Sequence, residues 1–116
     1  MHDSLDDGLK SGTLRYAASF EDRDLESIRL LLHDSIQLSD PVEKVISGKP
    51  NVLAFLKKLF DGADRIACDV RNLWAEETTT IMEFRLTIGS TTLEGIDVID
   101  WHDGRIIAIR AYVNVT

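Results

Sequence analysis

The hydrophobic period of this chain changes near Arg65, and that change constrains the fold more than any other feature. Before it, apolar residues recur at helical spacing; after it, they alternate. Ile66, Cys68, Val70 and Trp74 alternate with Asp69 and Arg71, and Met82, Phe84, Leu86 and Ile88 with Glu83, Arg85 and Thr87. Residues 93–101 form a third such stretch, and residues 105–115, rich in Ile and Val, a fourth. Glu76-Glu77, Gly89-Ser90 and Asp103-Gly104 mark the turns, and the Asp-Gly step is the strongest hairpin signal. Four strands joined by tight turns predict an antiparallel meander. Helices segregated ahead of them predict an α+β fold in which the helices cover one sheet face. A curved sheet so covered leaves a pocket.

In the first half, Leu9, Tyr16, Ala17 and Phe20 predict a helix over about residues 4–20. Gly8 and Gly12 weaken its start, so residues 1–8 are prone to fray. Asp24 can cap a second helix with the stripe Leu25, Ile28, Leu31 and Leu32, ending near His33-Asp34. Ile36-Gln37-Leu38 reads as a short strand that stops at Asp40-Pro41, and residues 42–48 as a loop. Pro50 suits the first turn of a third helix, with Val52, Leu53, Leu56, Leu59 and Phe60 on its core face and Gly62 at its end. No linker or internal repeat interrupts the 116 residues, so residues 1–116 are expected to form one domain.

The net charge of −7 argues against a nucleic-acid backbone or an anionic membrane surface as partner. No apolar run approaches the roughly 18 residues of a membrane span. Cys68 is the only cysteine, which excludes an intrachain disulfide and favours a reducing compartment. The acidic start, residues 1–10, lacks the basic and apolar regions of a signal peptide, so a cytoplasmic location is expected. His2, His33 and His102 are scattered without ligand spacing, and no metal site is expected. Cys68 reads as a buried, inert thiol. Asp6-Asp7 and Glu76-Glu77 read as solvated charge.

Asp97 stands out because alternation puts it on one face with Leu93, Gly95, Ile99 and Trp101. A carboxyl among such neighbours is costly to ionise, so its pKa should rise. It is either paired with a partner such as Arg, or kept protonated as a hydrogen-bond donor, which is a catalytic device. Gly95 on the same face marks a bulge, a close backbone approach or a plain weak point in the sheet. Phe55 and Trp101 are candidate pocket walls, together with Phe84, Met82 and Trp74 if their faces line it; each equally serves as ordinary core.

Tyr16, Asp40 and Asp97 together resemble the catalytic set of the bacterial ketosteroid isomerases. Arg15-Tyr16 is similar to that family's oxyanion tyrosine segment, Asp40-Pro41 to its base, and Ile96-Asp97 to the segment of its protonated aspartic acid. Asp24-Leu25 resembles a helix start in which the family has glycine where Arg23 stands. Ser47-Gly48, Gly104-Arg105-Ile106 and Arg110-Ala111-Tyr112 extend the likeness over about residues 15–115. Leu32 and Leu56 stand where some members have tyrosines supporting the oxyanion tyrosine, and Val113 where some have a tryptophan beside the base.

The resemblance implies a conical α+β fold, shared with nuclear transport factor 2 and SnoaL-like polyketide cyclases. N-terminal helices pack there on the concave face of a curved, mainly antiparallel sheet. It implies a cofactor-independent isomerase moving a proton in an apolar, β,γ-unsaturated ketone, with Asp40 as general base and Tyr16 and Asp97 as oxyanion donors. Phe55, Leu56, Phe84, Trp101 and Val113 would contact the substrate, an apolar small molecule. A homodimer is implied too, with Ile96 and Val98 on the outer sheet face and Ile106 and Tyr112 sharing a face of the last strand. The alternatives are a non-catalytic ligand-binding or dimerisation module, or a cyclase or epoxide hydrolase-type enzyme. Placement of Arg85 and Arg110 discriminates, since an Arg against Asp97 would hold it ionised.

Overall fold

The computed structural model describes residues 4–40 and 44–115, with the side chains of residues 4, 40, 44 and 115 outside that description. The elements are α1 (Ser4–Glu21), α2 (Leu25–Leu31), β1 (Leu32–Asp40), β2 (Lys44–Ser47) and α3 (Lys49–Asp61). Four long strands follow: β3 (Ile66–Glu76), β4 (Thr79–Ile88), β5 (Thr91–His102) and β6 (Arg105–Val115). Three helices pack on a curved six-stranded sheet of order β2-β1-β6-β5-β4-β3. No described helix is long and apolar enough to cross a membrane.

The first helix runs through both of its glycines. Gly12 has a packing reason: a Cβ there would lie 2.7 Å from the Trp101 ring. Glycine lets the indole lie directly on the helix backbone, at the usual cost in helix propensity. Beside it, a buried polar chain joins α1 to the sheet. Thr13 donates its only hydroxyl hydrogen to the Leu9 carbonyl at 2.8 Å, so Thr80, 2.8 Å from Thr13, must donate to it, and Trp101 Nε1 donates to Thr80 at 3.0 Å. Every polar atom in this contact is thereby satisfied.

Asp24 caps α2 as expected, its carboxylate accepting from the Ser27 N–H at 3.1 Å. The helix then stops earlier than its apolar stripe suggests. Leu32 is already extended, at φ −89° and ψ 137°, so the chain enters β1 there and not after His33-Asp34. Leu32 stays fully buried as a strand residue. The nine-residue β1 needs pairing on both edges. It lies parallel to β6 on one side, and β2 pairs antiparallel on the other. Residues 44–47 are therefore strand, correcting the loop expected over 42–48; residues 41–43 lie outside the described residues. The parallel pair makes the sheet mixed, although β3 to β6 form the expected meander. Pro50 opens α3 and Gly62 closes it. At the β5–β6 turn Asp103 and Gly104 are both left-handed, at φ 51° and 77°, as the tightest hairpins require.

Two bulges break the simple alternation. In β3 the pairing shifts between Val70 and Asn72, leaving Arg71 extra. Beyond it Leu73 packs on the core and Trp74 turns outward, 50% exposed, which removes Trp74 as a pocket wall. In β6 the extra residue is Ile107, between the partners of Asp100 and Trp101. Ile106 is consequently buried and Tyr112 exposed, so the two do not share a face.

Candidate functional site

Between α1, α3 and the concave sheet face lies a cavity of about 190 Å³. The α1 stripe of Tyr16, Ala17 and Phe20 forms one wall, and Phe55, Leu56 and Leu59 of α3 another. The floor is Leu38 of β1, Cys68 of β3, Met82, Phe84, Leu86 and Ile88 of β4, Leu93 and Asp97 of β5, and Ile109, Ala111 and Val113 of β6. Phe20 is fixed edge-on against Phe60 at 5.1 Å and tilted against Tyr16 at 6.2 Å.

The cavity has a closed end and an open end. Along β4, exposure rises from Met82 (2%) through Phe84 (5%) and Leu86 (9%) to the half-buried Ile88. Asp97 pairs in register with Met82 on one side and Ala111 on the other, which places it at the closed end. Past it, the buried Ile99 and Trp101 seal the sheet against α1. Leu93 and Val113, both half-buried, flank the mouth beside Ile88.

Tyr16, Asp97 and Cys68 are the titratable groups among the described lining residues, and they feel one another. Burial, then the neighbouring Asp97 and Cys68, push the Tyr16 phenol well above its ordinary value, so it keeps its hydrogen throughout the physiological range. Burial, followed by Asp97, Glu21 and Asp69, pushes the Cys68 thiol up to about 12. It is therefore a neutral thiol and a poor nucleophile. The Glu21 carboxylate accepts the Cys68 backbone N–H at 2.8 Å, satisfying part of the outer edge of β3.

The structure thus brings together Tyr16, Asp97, Phe55, Leu56, Phe84 and Val113, as the sequence leads one to expect. Trp101 is a correction. It shares the Asp97 face, but α1 covers it, and it does not line the cavity. Leu32 belongs to the core and not to the lining. The Asp40 side chain lies outside the described residues; its backbone closes β1, two residues after the lining Leu38. Phe20, Leu59 and Cys68 are lining residues not foreseen as such, although Phe20 continues the α1 stripe and Cys68 alternates with Ile66 and Val70. Arg85 lies 3.7 Å from Glu94, and Arg110 donates to Asp100 at 2.6 Å. Among the described residues no arginine or histidine lines the cavity, and no group of three or more His, Cys, Asp or Glu could hold a metal ion.

Solved structures share this architecture. A candidate ketosteroid isomerase from Kribbella flavida superposes with a TM-score of 0.85 at 19% identity, covering 94% of this chain and 79% of that one. A candidate SnoaL-like polyketide cyclase from Jannaschia sp. CCS1 gives 0.86 at 16% identity, covering 98% and 90%. An LEH-like epoxide hydrolase from M. tuberculosis gives 0.80 at 17% identity, covering 94% and 84%. At these identities the likeness is one of fold, and the three names span three chemistries. A search of curated proteins finds no match. The SnoaL-like domain profile matches residues 13–109, from the buried Thr13 of α1 to the cavity-lining Ile109 of β6, and the chain belongs to that family.

Proposed function

We propose that this protein is a cofactor-independent isomerase of the ketosteroid isomerase type, acting on an apolar β,γ-unsaturated ketone. The observation that carries the reading is the pairing of Tyr16 and Asp97 at the closed end of an otherwise apolar cavity. A carbonyl inserted there meets a phenol that keeps its hydrogen, beside the buried Asp97 carboxyl, which donates a second hydrogen bond in its acid form. Two donors aimed at one oxygen stabilise the dienolate formed when the proton between carbonyl and alkene is removed. Asp40 takes that proton as a carboxylate and returns it two carbons along, so the double bond moves and no redox partner is needed.

The backbone supports this role for Asp40. Continuing the β1–β6 register by one residue beyond Ser39 and Arg110 brings Asp40 level with Ala111, the partner of Asp97. Two strand spacings, about 10 Å, then separate the base position from the donor position, enough for a ring between them. The described arginines favour this over an epoxide hydrolase-type site, because Arg85 and Arg110 lie against Glu94 and Asp100.

The test is conversion of 3-cyclohexenone and 5-androstene-3,17-dione to their conjugated enones, followed by absorbance. Asp40→Asn is expected to lose roughly 100- to 10,000-fold in rate with the fold retained. Tyr16→Phe and Asp97→Leu should each lower kcat more than they raise KM, because the dienolate gains most from these donors. Unchanged turnover in Asp40→Asn removes the base assignment. Tight binding of a phenol with no turnover of either ketone makes the protein a binding module.

We further propose a homodimer formed through the outer sheet face. Trp74, Ile81 and Val98 form one row across β3, β4 and β5, with Ile96 and Tyr112 paired in the next. Trp74 and Tyr112 are 50% and 56% exposed, a large apolar area for one face. Sedimentation should give twice the chain mass for the native protein and the single mass for Tyr112→Glu. A native monomer at micromolar concentration refutes the dimer.

A further inference from the structure

The dimensions of the cavity limit what it can recognise. An engineered apolar cavity of about 150 Å³ holds one benzene, so 190 Å³ corresponds by proportion to about eight heavy atoms. Pockets for drug-sized ligands begin at about 300 Å³. The bottom is fixed by packing. Tyr16 is held against Phe20, and Phe20 against Phe60, while Leu56 is 2% exposed.

We propose that the recognised ligand is a ketone of one substituted ring, about eight heavy atoms, or a two-ring ketone whose second ring reaches the mouth, that enters oxygen first, and not a four-ring steroid skeleton. The oxygen-first orientation rests on the isomerase reading, because only Tyr16, Asp97 and Cys68 break the apolar lining among the described residues. The size limit rests on the cavity alone. Any part of a longer ligand emerges between Ile88, Leu93 and Val113 into solvent, where it adds little affinity.

The experiment is a titration of the native protein with two series, the phenols phenol, 2-naphthol and equilenin, and the hydrocarbons naphthalene and phenanthrene. Affinity is expected to rise about tenfold from phenol to 2-naphthol, then stay within about threefold for equilenin. Phenanthrene should likewise bind within about threefold of naphthalene. Equilenin or phenanthrene binding more than about tenfold tighter than its two-ring counterpart overturns the size limit. Failure of every compound to bind overturns it as well. If 2-naphthol binds no tighter than naphthalene, the oxygen-first orientation and the isomerase reading fall, while a plateau in both series still upholds the size limit.

Discussion

A methyl group on Gly95 would lie 2.1 Å from the Tyr112 carbonyl oxygen and 2.7 Å from the Val113 Cα. Both atoms are backbone, so no side chain can swing aside. The β6 backbone leans onto β5 here, two residues before Asp97, and only glycine permits it. Gly95→Ala is expected to cost about 1–3 kcal/mol, read as a lower urea midpoint with an unchanged slope. A midpoint equal to that of the native protein would show that the strands can part without loss. From the sequence alone this glycine was compatible with a bulge, a close approach or a plain weak point, because the deciding atoms sit seventeen and eighteen residues away in β6. Arg23 is the converse case. It holds φ +57° at the position where the resembling family has glycine, and its guanidinium donates to the Ala63 carbonyl, tying the α1–α2 turn to the segment after α3. Tyr16 and Asp97 were legible because each is a polar group set into an apolar period, which needs no knowledge of partners.

Elements were legible where one period ran unbroken. The α3 boundaries follow from Pro50 and Gly62, the α2 start from Asp24, and the β5–β6 turn from Asp103-Gly104. The sequence is not legible where long-range pairing decides the local state. Residues 44–47 include the strand formers Val45 and Ile46 but are too short to show a period, and they are extended because β1 offers them an edge. Leu32 satisfies a helical stripe but buries equally well as the first residue of β1. The bulges at Arg71 and Ile107 reverse which residues face inward, and neither is marked by glycine or proline. They explain why Trp74 and Tyr112 ended on the outer face. Alternation gives Trp101 its face of β5, yet its contact is set by Gly12 of a helix some ninety residues earlier.

At the scale of the whole molecule, two neutral groups buried beside Asp97 make stability depend on alkaline pH. Tyr16 and Cys68 have folded values raised above their ordinary 10.0 and 9.0. Above those values the unfolded chain loses protons that the folded protein keeps, so the unfolded state binds fewer protons and stability falls as pH rises. Below about pH 8 both states are protonated and the contribution is constant. Either group contributes at most about 1.4 kcal/mol per pH unit, Cys68 from about pH 9 and Tyr16 from about pH 10, where the unfolded chain loses each proton, and the partial exposure of Cys68 lowers its share. Tm is therefore expected to decline steeply between pH 9 and 11, and less steeply in Tyr16→Phe. A variant profile parallel to the native one would exclude Tyr16 as the source. The two tryptophans have a consequence of another kind. Trp101 is sealed under α1 with its N–H bonded to Thr80, whereas Trp74 faces solvent on the opposite side of the sheet. The chain therefore carries two built-in optical probes in unlike surroundings. A blue-shifted emission from Trp101, shielded from iodide, reports whether α1 is seated, and the Trp74 emission, red-shifted and quenchable in the single chain and shielded in the proposed dimer, reports what touches the far side.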